Sequence, residues 1–204
     1  MSETRGTSLP VLDPAAVRKE RRARLQEAEA RRHERERALA EAVAGWFAPG
    51  EASRAELRHQ QTVTVPVGRS HEVLRRCRDE LGFDFLTDVT VVDTLKLEGD
   101  HPERFWVVWQ LLSLTQNATI WVRAWVNEDE PACPSVRDLW PAAGYAEREA
   151  YDMFGVEFTG HGDLRRLLMP EDYSGFPLRK DYPLRGRGER DNFPVIRRAN
   201  EEAL

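Results

Sequence analysis

Arg104-Phe105-Trp106-Val107-Val108-Trp109-Gln110-Leu111-Leu112, a turn at Thr115 to Asn117, and Thr119-Ile120-Trp121-Val122-Arg123-Ala124-Trp125-Val126 decide the architecture. Both runs are rich in β-branched and aromatic residues, and the gap between them is too short for a crossover helix. They therefore read as neighbouring antiparallel strands. The first has two apolar faces: Phe105, Val107, Trp109 and Leu111 oppose Trp106, Val108 and Leu112. That predicts a central strand covered on both sides. The second alternates, with Ile120, Val122, Ala124 and Val126 inward and Trp121, Arg123 and Trp125 on the other face. An arginine flanked by tryptophans at i±2 is expected to stack on both rings. A single helix layer leaves those tryptophans exposed. Either the chain's own arm or tail covers them, or they form an interface.

Upstream, Phe83 to Asp93 reads as a further strand with Phe85, Val89 and Val91 on one side, joined through a polar hairpin loop from Leu95 to Pro102. Ser70 is expected as an N-cap. Val73, Leu74, Cys77 and Leu81 then recur at helical spacing, and Gly82 stands at the C′ position. Cys77 on that stripe reads as a core residue. Thr62 to Val67 places Val63, Val65 and Val67 on one face, and Pro66 points to an edge strand. Ala52 to Gln61 reads as one or two helical turns. From Asp13 to about Trp46 the chain is strongly helix-forming, with Asp13 as N-cap and Gly45 near the end. Between Val17 and Leu39 its only apolar residue larger than alanine is Leu25, so this helix has no face to bury. Residues 17 to 37 hold nine Arg/Lys against five Glu, a local excess suited to an acidic partner or to the rest of the chain. Residues 1 to 10 read as disordered.

Downstream, Ser135-Val136-Arg137-Asp138 resembles a capping box opening a short helix broken by Pro141. A second helix runs from about Ala143 to Phe154. Ala146, Ala150 and Met153/Phe154 form its apolar stripe, while Glu147/Tyr151 and Arg148/Asp152 are i,i+4 neighbours elsewhere. The order of elements predicts an α+β fold, a mixed sheet packed on helices, with a long charged N-terminal helix and an extended C-terminal tail. Three regions are expected: a charged helical arm (1–49), a globular α+β domain (50–155) and an extended partner-binding tail (156–204). Glu147 to Gly155 then marks where a self-sufficient domain gives way to a strap.

Composition narrows the function. The chain has 204 residues, a net charge of −5 and two cysteines. The charge disfavours nucleic acid as a partner. Cys77 and Cys133 are too few to ligate an iron–sulfur cluster or a structural zinc, and they suggest no disulfide framework. No run approaches the length of a membrane span. A stand-alone metal-dependent hydrolase using Glu157, His161 and Asp163 is one reading of the tail. Ordinary surface charge is the simplest reading of the acidic helix.

Several blocks in order carry a family resemblance: Glu147-Arg148-Glu149, Tyr151-Asp152-Met153-Phe154-Gly155, Phe158, His161, Leu164-Arg165-Arg166-Leu167-Leu168, and Pro177-Leu178-Arg179-Lys180-Asp181-Tyr182-Pro183-Leu184. They resemble the 30 kDa subunit family of proton-pumping NADH-quinone oxidoreductase (respiratory complex I), over roughly residues 60 to 185. Gly162 departs from the proline expected after the histidine. The resemblance implies a non-catalytic hydrophilic subunit of the peripheral arm, supporting electron transfer from NADH to quinone and proton translocation. It implies a place on the cytoplasmic side of the bacterial inner membrane and membrane association only through the complex. The implied partners are the other peripheral-arm subunits, chiefly the quinone-site subunit. It further implies no cofactor or metal on this chain, with flavin and iron–sulfur clusters on other subunits. The residues it nominates for structure and partner binding are Glu147, Arg148, Glu149, Tyr151, Asp152, Phe154, Gly155, Phe158, His161, Leu164, Arg165, Arg166, Arg179, Lys180, Asp181, Tyr182 and Pro183. An equivalent scaffold role in a membrane-bound hydrogenase or a quinone reductase with another donor is the alternative.

Overall fold

The computed structural model describes residues 13–188. In chain order its elements are α1 (Pro14–Ala44), β1 (Ser53–Leu57), β2 (Gln60–Val65), α2 (Ser70–Leu81), β3 (Phe85–Asp93), β4 (Phe105–Ser113), β5 (Ala118–Val126), β6 (Ala132–Pro134), α3 (Ala143–Phe154) and β7 (Glu157–Thr159). Five strands form one sheet in the order β1-β2-β5-β4-β3, and β6 pairs with β7 in a second, two-stranded sheet. Within the main sheet β2 and β5 run parallel and every other pair is antiparallel. The architecture is α+β with a mixed sheet, as the sequence implies.

One face of the sheet carries the core. Val63, Val65, Val89, Val91, Phe105, Val107, Trp109, Leu111, Ile120 and Val122 are buried there with the apolar stripes of all three helices. From α2 these are Val73, Leu74 and Cys77, as the spacing predicts, and Gly82 closes that helix at φ 69°. Burial pushes the Cys77 thiol up to about 12 and the Cys133 thiol likewise, so neither is a nucleophile at neutral pH.

Several expectations are corrected. Ala52 to Gln61 is not helical: β1 and β2 form a hairpin whose two-residue turn, Arg58-His59, has positive φ at both positions. Such turns are usually announced by Asn-Gly or Asp-Gly, and that signal is missing. β2 is not an edge strand, because it lies between β1 and β5. It ends at Val65, so Pro66 never enters the ladder, and Val67 opens a 3-10 turn. Ser70 is the first residue of α2 rather than its cap, and its Oγ donates to the Val67 carbonyl at 2.8 Å. In β3 the register shifts between Leu86 and Asp88. That bulge puts Leu86 in the core and leaves Phe85 exposed. No helix forms at Ser135 to Asp138, where the backbone makes turns.

The N-terminal helix also differs from its expected form. Asp13 caps α1 by accepting from the Ala15 N–H at 3.0 Å. The first two-thirds of α1 are solvated, but Glu36, Leu39, Ala40 and Val43 are buried. Glu36 accepts from the Thr119 N–H at 2.8 Å and pairs with Arg32, which fixes the helix on β5. The end of α1 is thus core, on the near side of the boundary expected at residues 49/50.

The opposite face of the sheet carries no helix among the described residues. β4 is interior, but only Val108 is buried on its second face; Trp106, Gln110 and Leu112 are half-exposed. Trp121, Arg123 and Trp125 of β5 are half-exposed too. Arg123 does not stack on its neighbours in sequence. Its guanidinium lies 4.4 Å from the centre of the cross-strand Trp106 ring.

Candidate functional site

The nominated residues gather where α3 meets residues 156–188. The apolar stripe Ala150, Met153 and Phe154 seats α3 in the core, which forces neighbouring charged residues into partly or fully buried positions. What those charges bind is mostly backbone.

Asp152 is fully buried. Its Oδ1 accepts from Arg166 Nη1 at 2.7 Å. Its Oδ2 accepts from the N–H groups of Leu167, Leu168 and Met169 at 3.0, 2.7 and 2.8 Å. Burial pushes this carboxyl upward, but the Met169 N–H, Arg166 and the Leu168 and Leu167 N–H groups outweigh it and hold it below the usual range. Arg166 also donates to the Asp152 and Gly175 carbonyls. Arg148, one turn earlier, donates through Nε to the Arg165 carbonyl and through Nη2 to that of Arg166, both at 3.1 Å. Arg148 and Asp152 are spaced to meet each other, yet each instead holds a different part of the following loop.

Glu147 faces the other way and is also fully buried. It accepts from Ser135 Oγ at 2.6 Å and from the Val136 N–H at 2.7 Å. Glu147, not Asp138, is therefore the acidic partner of the Ser135 turn; Asp138 pairs with His71 at 2.9 Å. Burial raises the Glu147 carboxyl above its ordinary value despite these two bonds. His161 stands 4.0 Å away. Its Nε2 donates to the Gly144 carbonyl at 2.9 Å and its Nδ1 accepts from the Asp163 N–H at 3.2 Å, a tautomer assigned from these partners. Arg137 donates to the His161 carbonyl. Both ring nitrogens of His161 are thus occupied, and Glu157, His161 and Asp163 do not converge. Among the described residues no group of three or more His, Cys, Asp or Glu is placed to hold a metal ion.

A second clasp holds the distal end. Gly155 closes α3 at φ 75°, and a Cβ there would stand 2.6 Å from the Phe176 ring and 2.8 Å from Arg179 Nη2. Arg179 donates from Nε to the Phe154 carbonyl at 2.6 Å and lies over Phe176 and Phe105. The Leu178 N–H donates to the Met153 carbonyl. Asp93, at the end of β3, accepts from the Lys180 N–H at 2.8 Å and pairs with Arg104 at 2.8 Å. Arg104 also pairs with Asp181 at 2.6 Å and with Glu128. Tyr182 and Tyr173 share a hydroxyl contact of 2.5 Å.

The other nominees are less engaged. Phe158 is buried on β7, and Tyr151 and Leu164 pack against the core. Arg165 is exposed and pairs with Asp163 at 3.1 Å. Glu149 and Pro183 are not buried. Sequence reasoning missed Asp93 and Arg104, and it read Ser135 and Arg137 as a helix cap rather than as partners of Glu147 and His161. Asp93 and Arg104 bracket the β3–β4 loop, and opposite charges at the two ends of a hairpin are the signal that points to them.

Residues 156–188 therefore form a strap laid on their own domain rather than a free tail. Polar groups pin it, while Leu168, Leu178 and Leu184 remain 62%, 48% and 101% exposed. Residues 189–204 of the expected tail, and residues 1–12, lie outside the described residues.

Comparisons with known proteins bear on the same stretch. The sequence profile of the family described as "Respiratory-chain NADH dehydrogenase, 30 Kd subunit" matches residues 63–188. An NADH-quinone oxidoreductase subunit of Citrifermentans bemidjiense is 48% identical over 131 residues, 64% of this chain and 79% of that protein. NADH-quinone oxidoreductase subunit 5 of Thermus thermophilus is 45% identical over 127 residues; the match spans 60% of this chain and 61% of that relative's length. Among solved structures, a trypsin-resistant fragment of Nqo5 superposes with a TM-score of 0.54 at 37% identity, covering 63% of this chain and 98% of the fragment. A chain of an archaeal membrane-bound sulfane sulfur reductase superposes with a TM-score of 0.56 at 19% identity, over 82% of this chain and 97% of that one. That last likeness concerns the fold alone.

Proposed function

The chain belongs to the 30 kDa subunit family of respiratory-chain NADH dehydrogenase, and from that premise we propose that it is a non-catalytic, hydrophilic subunit of the peripheral arm of NADH-quinone oxidoreductase. In this role it supports electron transfer from NADH to quinone by packing against other subunits, chiefly the one that forms the quinone site. Flavin and iron–sulfur clusters belong to those other subunits. The peripheral arm with this chain lies on the cytoplasmic side of the bacterial inner membrane, and the chain reaches the membrane only through the complex. Among the described residues no helix is long and apolar enough to cross a bilayer.

The observation that carries this reading is the strap. Arg166, Arg179 and Asp181 of the strap are committed to its own domain, so they position it, and three of its leucines are left in water. A loop stiffened this way presents apolar side chains to a partner without having to order itself on binding. The nominated groups act through hydrogen bonds to backbone, which suits a fixed docking edge better than turnover.

The test is assembly. Arg148→Ala and Asp152→Ala in the full chain are expected to lower the amount of intact complex recovered and its NADH:quinone reductase activity in proportion. Normal recovery and activity in both variants would overturn the reading. A co-purified NADH-binding flavoprotein separates complex I from a scaffold role in a hydrogenase or a quinone reductase fed by another donor.

A further inference from the structure

The second face of the main sheet has no helix over it among the described residues, and its composition is unusual for a surface left to water. Trp106, Trp121 and Trp125 are half-exposed there beside Leu112 and Gln110. Trp106 and Trp125 meet edge to face at 4.8 Å, and the ring of His101, from the β3–β4 loop, lies against both. In the middle sits Arg123. Its Nε donates to Thr64 Oγ1 at 2.7 Å and its guanidinium covers the Trp106 ring at 4.4 Å. No carboxylate pairs with it among the described residues, and neither Nη group has an acceptor there. Arg104, immediately before the neighbouring strand β4, pairs by contrast with three carboxylates. A guanidinium held flat by an aromatic ring, half-buried and without a counter-ion, matches a carboxylate through a two-pronged hydrogen bond.

We propose that this face, with Arg123 at its centre, is a docking surface for an apolar segment of another subunit that carries an aspartate or glutamate. The inference rests on the subunit reading above and adds a second contact, on the side of the sheet away from the core helices. Tryptophan and arginine are the residues that dominate protein interfaces when they are close together and shielded from water. Charge complementarity selects the occupant: an acidic side chain supplies the missing counter-ion, and the apolar flank covers the indoles. The face lies within the family-matched residues 63–188, whereas the chain's own residues 189–204 fall outside that match.

The experiment uses the full chain in the complex isolated from cells. A photo-crosslinking benzoylphenylalanine replaces Trp121 in one variant and Gln110 in another, and irradiated adducts are mapped by mass spectrometry. The expected result is an adduct with a different subunit, on a peptide in which Asp or Glu is flanked by apolar residues. In the same complexes Arg123→Leu should lower adduct yield about tenfold or more, and Arg123→Lys should restore part of it. Circular dichroism melts of the isolated variants check that both remain folded. Adducts only with residues 189–204 of this chain, or no adduct in a complex that retains the chain, would overturn the docking surface and leave the subunit reading standing. A chain that co-purifies with no other subunit would overturn both.

Discussion

The solvated first two-thirds of α1 and the buried helix α3 both carry arginine and acidic side chains, yet in these two stretches the charges do opposite things; Glu36, near the end of α1, is buried on a backbone N–H and behaves like those of α3. In α1 the pairs Arg24–Glu20 and Arg31–Glu27 close at 2.6 and 2.5 Å with every side chain more than 60% exposed. Such pairs contribute only tenths of a kcal/mol, because water screens the attraction and two long side chains lose freedom. In α3 the buried Asp152 and Glu147 face backbone N–H groups that have no other partner. Their value lies in satisfying those donors, so their loss leaves buried groups unpaired. Charge density is therefore uninformative by itself; what decides the role is whether an apolar stripe, as in Ala150, Met153 and Phe154, draws the helix into the core.

The contrast can be broken most directly at Asp152. Asp152→Ala removes the acceptor of three N–H groups and the partner of Arg166, and it should cost about 3–5 kcal/mol in denaturant unfolding. A loss below about 1 kcal/mol would put α3 on the same footing as α1. The helix ends give the next largest difference. Gly155→Ala meets Phe176 and a positive φ, and should cost about 1–3 kcal/mol. Gly45, which ends α1 at φ −67°, needs no left-handed conformation, and its alanine variant should change stability by less than about 0.5 kcal/mol.

Acid titration sharpens the comparison within α3 itself. The Asp152 carboxyl lies below its unfolded value, so its contribution is present at neutral pH and is lost as pH falls through the folded value. The Glu147 carboxyl is raised, so the folded state takes up a proton first. Its contribution grows as pH falls through the folded value and levels off below the unfolded value of about 4.3. Unfolding free energies from pH 7 to 3 should therefore show Asp152→Asn flattening the acid loss and Glu147→Gln removing an opposing rise. Equal slopes in both variants would contradict the two directions. The exposed pairs of α1 contribute little beside these: Glu20→Ala with Glu27→Ala should shift stability by less than about 1 kcal/mol, and less still in high salt.

Much of the fold was legible because its period was unbroken. The alternation in β5 and the 3.6-residue stripe of α2 each sorted buried from exposed side chains correctly. The misses share a local cause. The Arg58-His59 turn lacks the residues that usually mark one, and the bulge after Leu86 shifts alternation by one position. At the site, the sequence located α3 and its charges but not their partners. Three consecutive N–H groups at 167–169 have no side-chain signature, so their convergence on Asp152 is invisible before the chain is folded. Arg148 and Asp152 illustrate the limit best: helical spacing pairs them, and tertiary structure separates them.

The parallel pairing of β2 with β5 sets an order of events during synthesis. Thr62 and Thr64 lie opposite Trp121 and Arg123, and the arginine that bonds Thr64 comes 59 positions later in the chain. The β1–β2 hairpin and the buried end of α1 thus have no docking edge until β5 has left the ribosome. At about 5–20 residues per second that wait lasts roughly 3–12 s. Through that interval a valine-bearing strand edge is open to other chains. Shielding by a chaperone, or by the solvated basic stretch of α1 that precedes the hairpin, then matters more for the yield of folded chain than for its final stability.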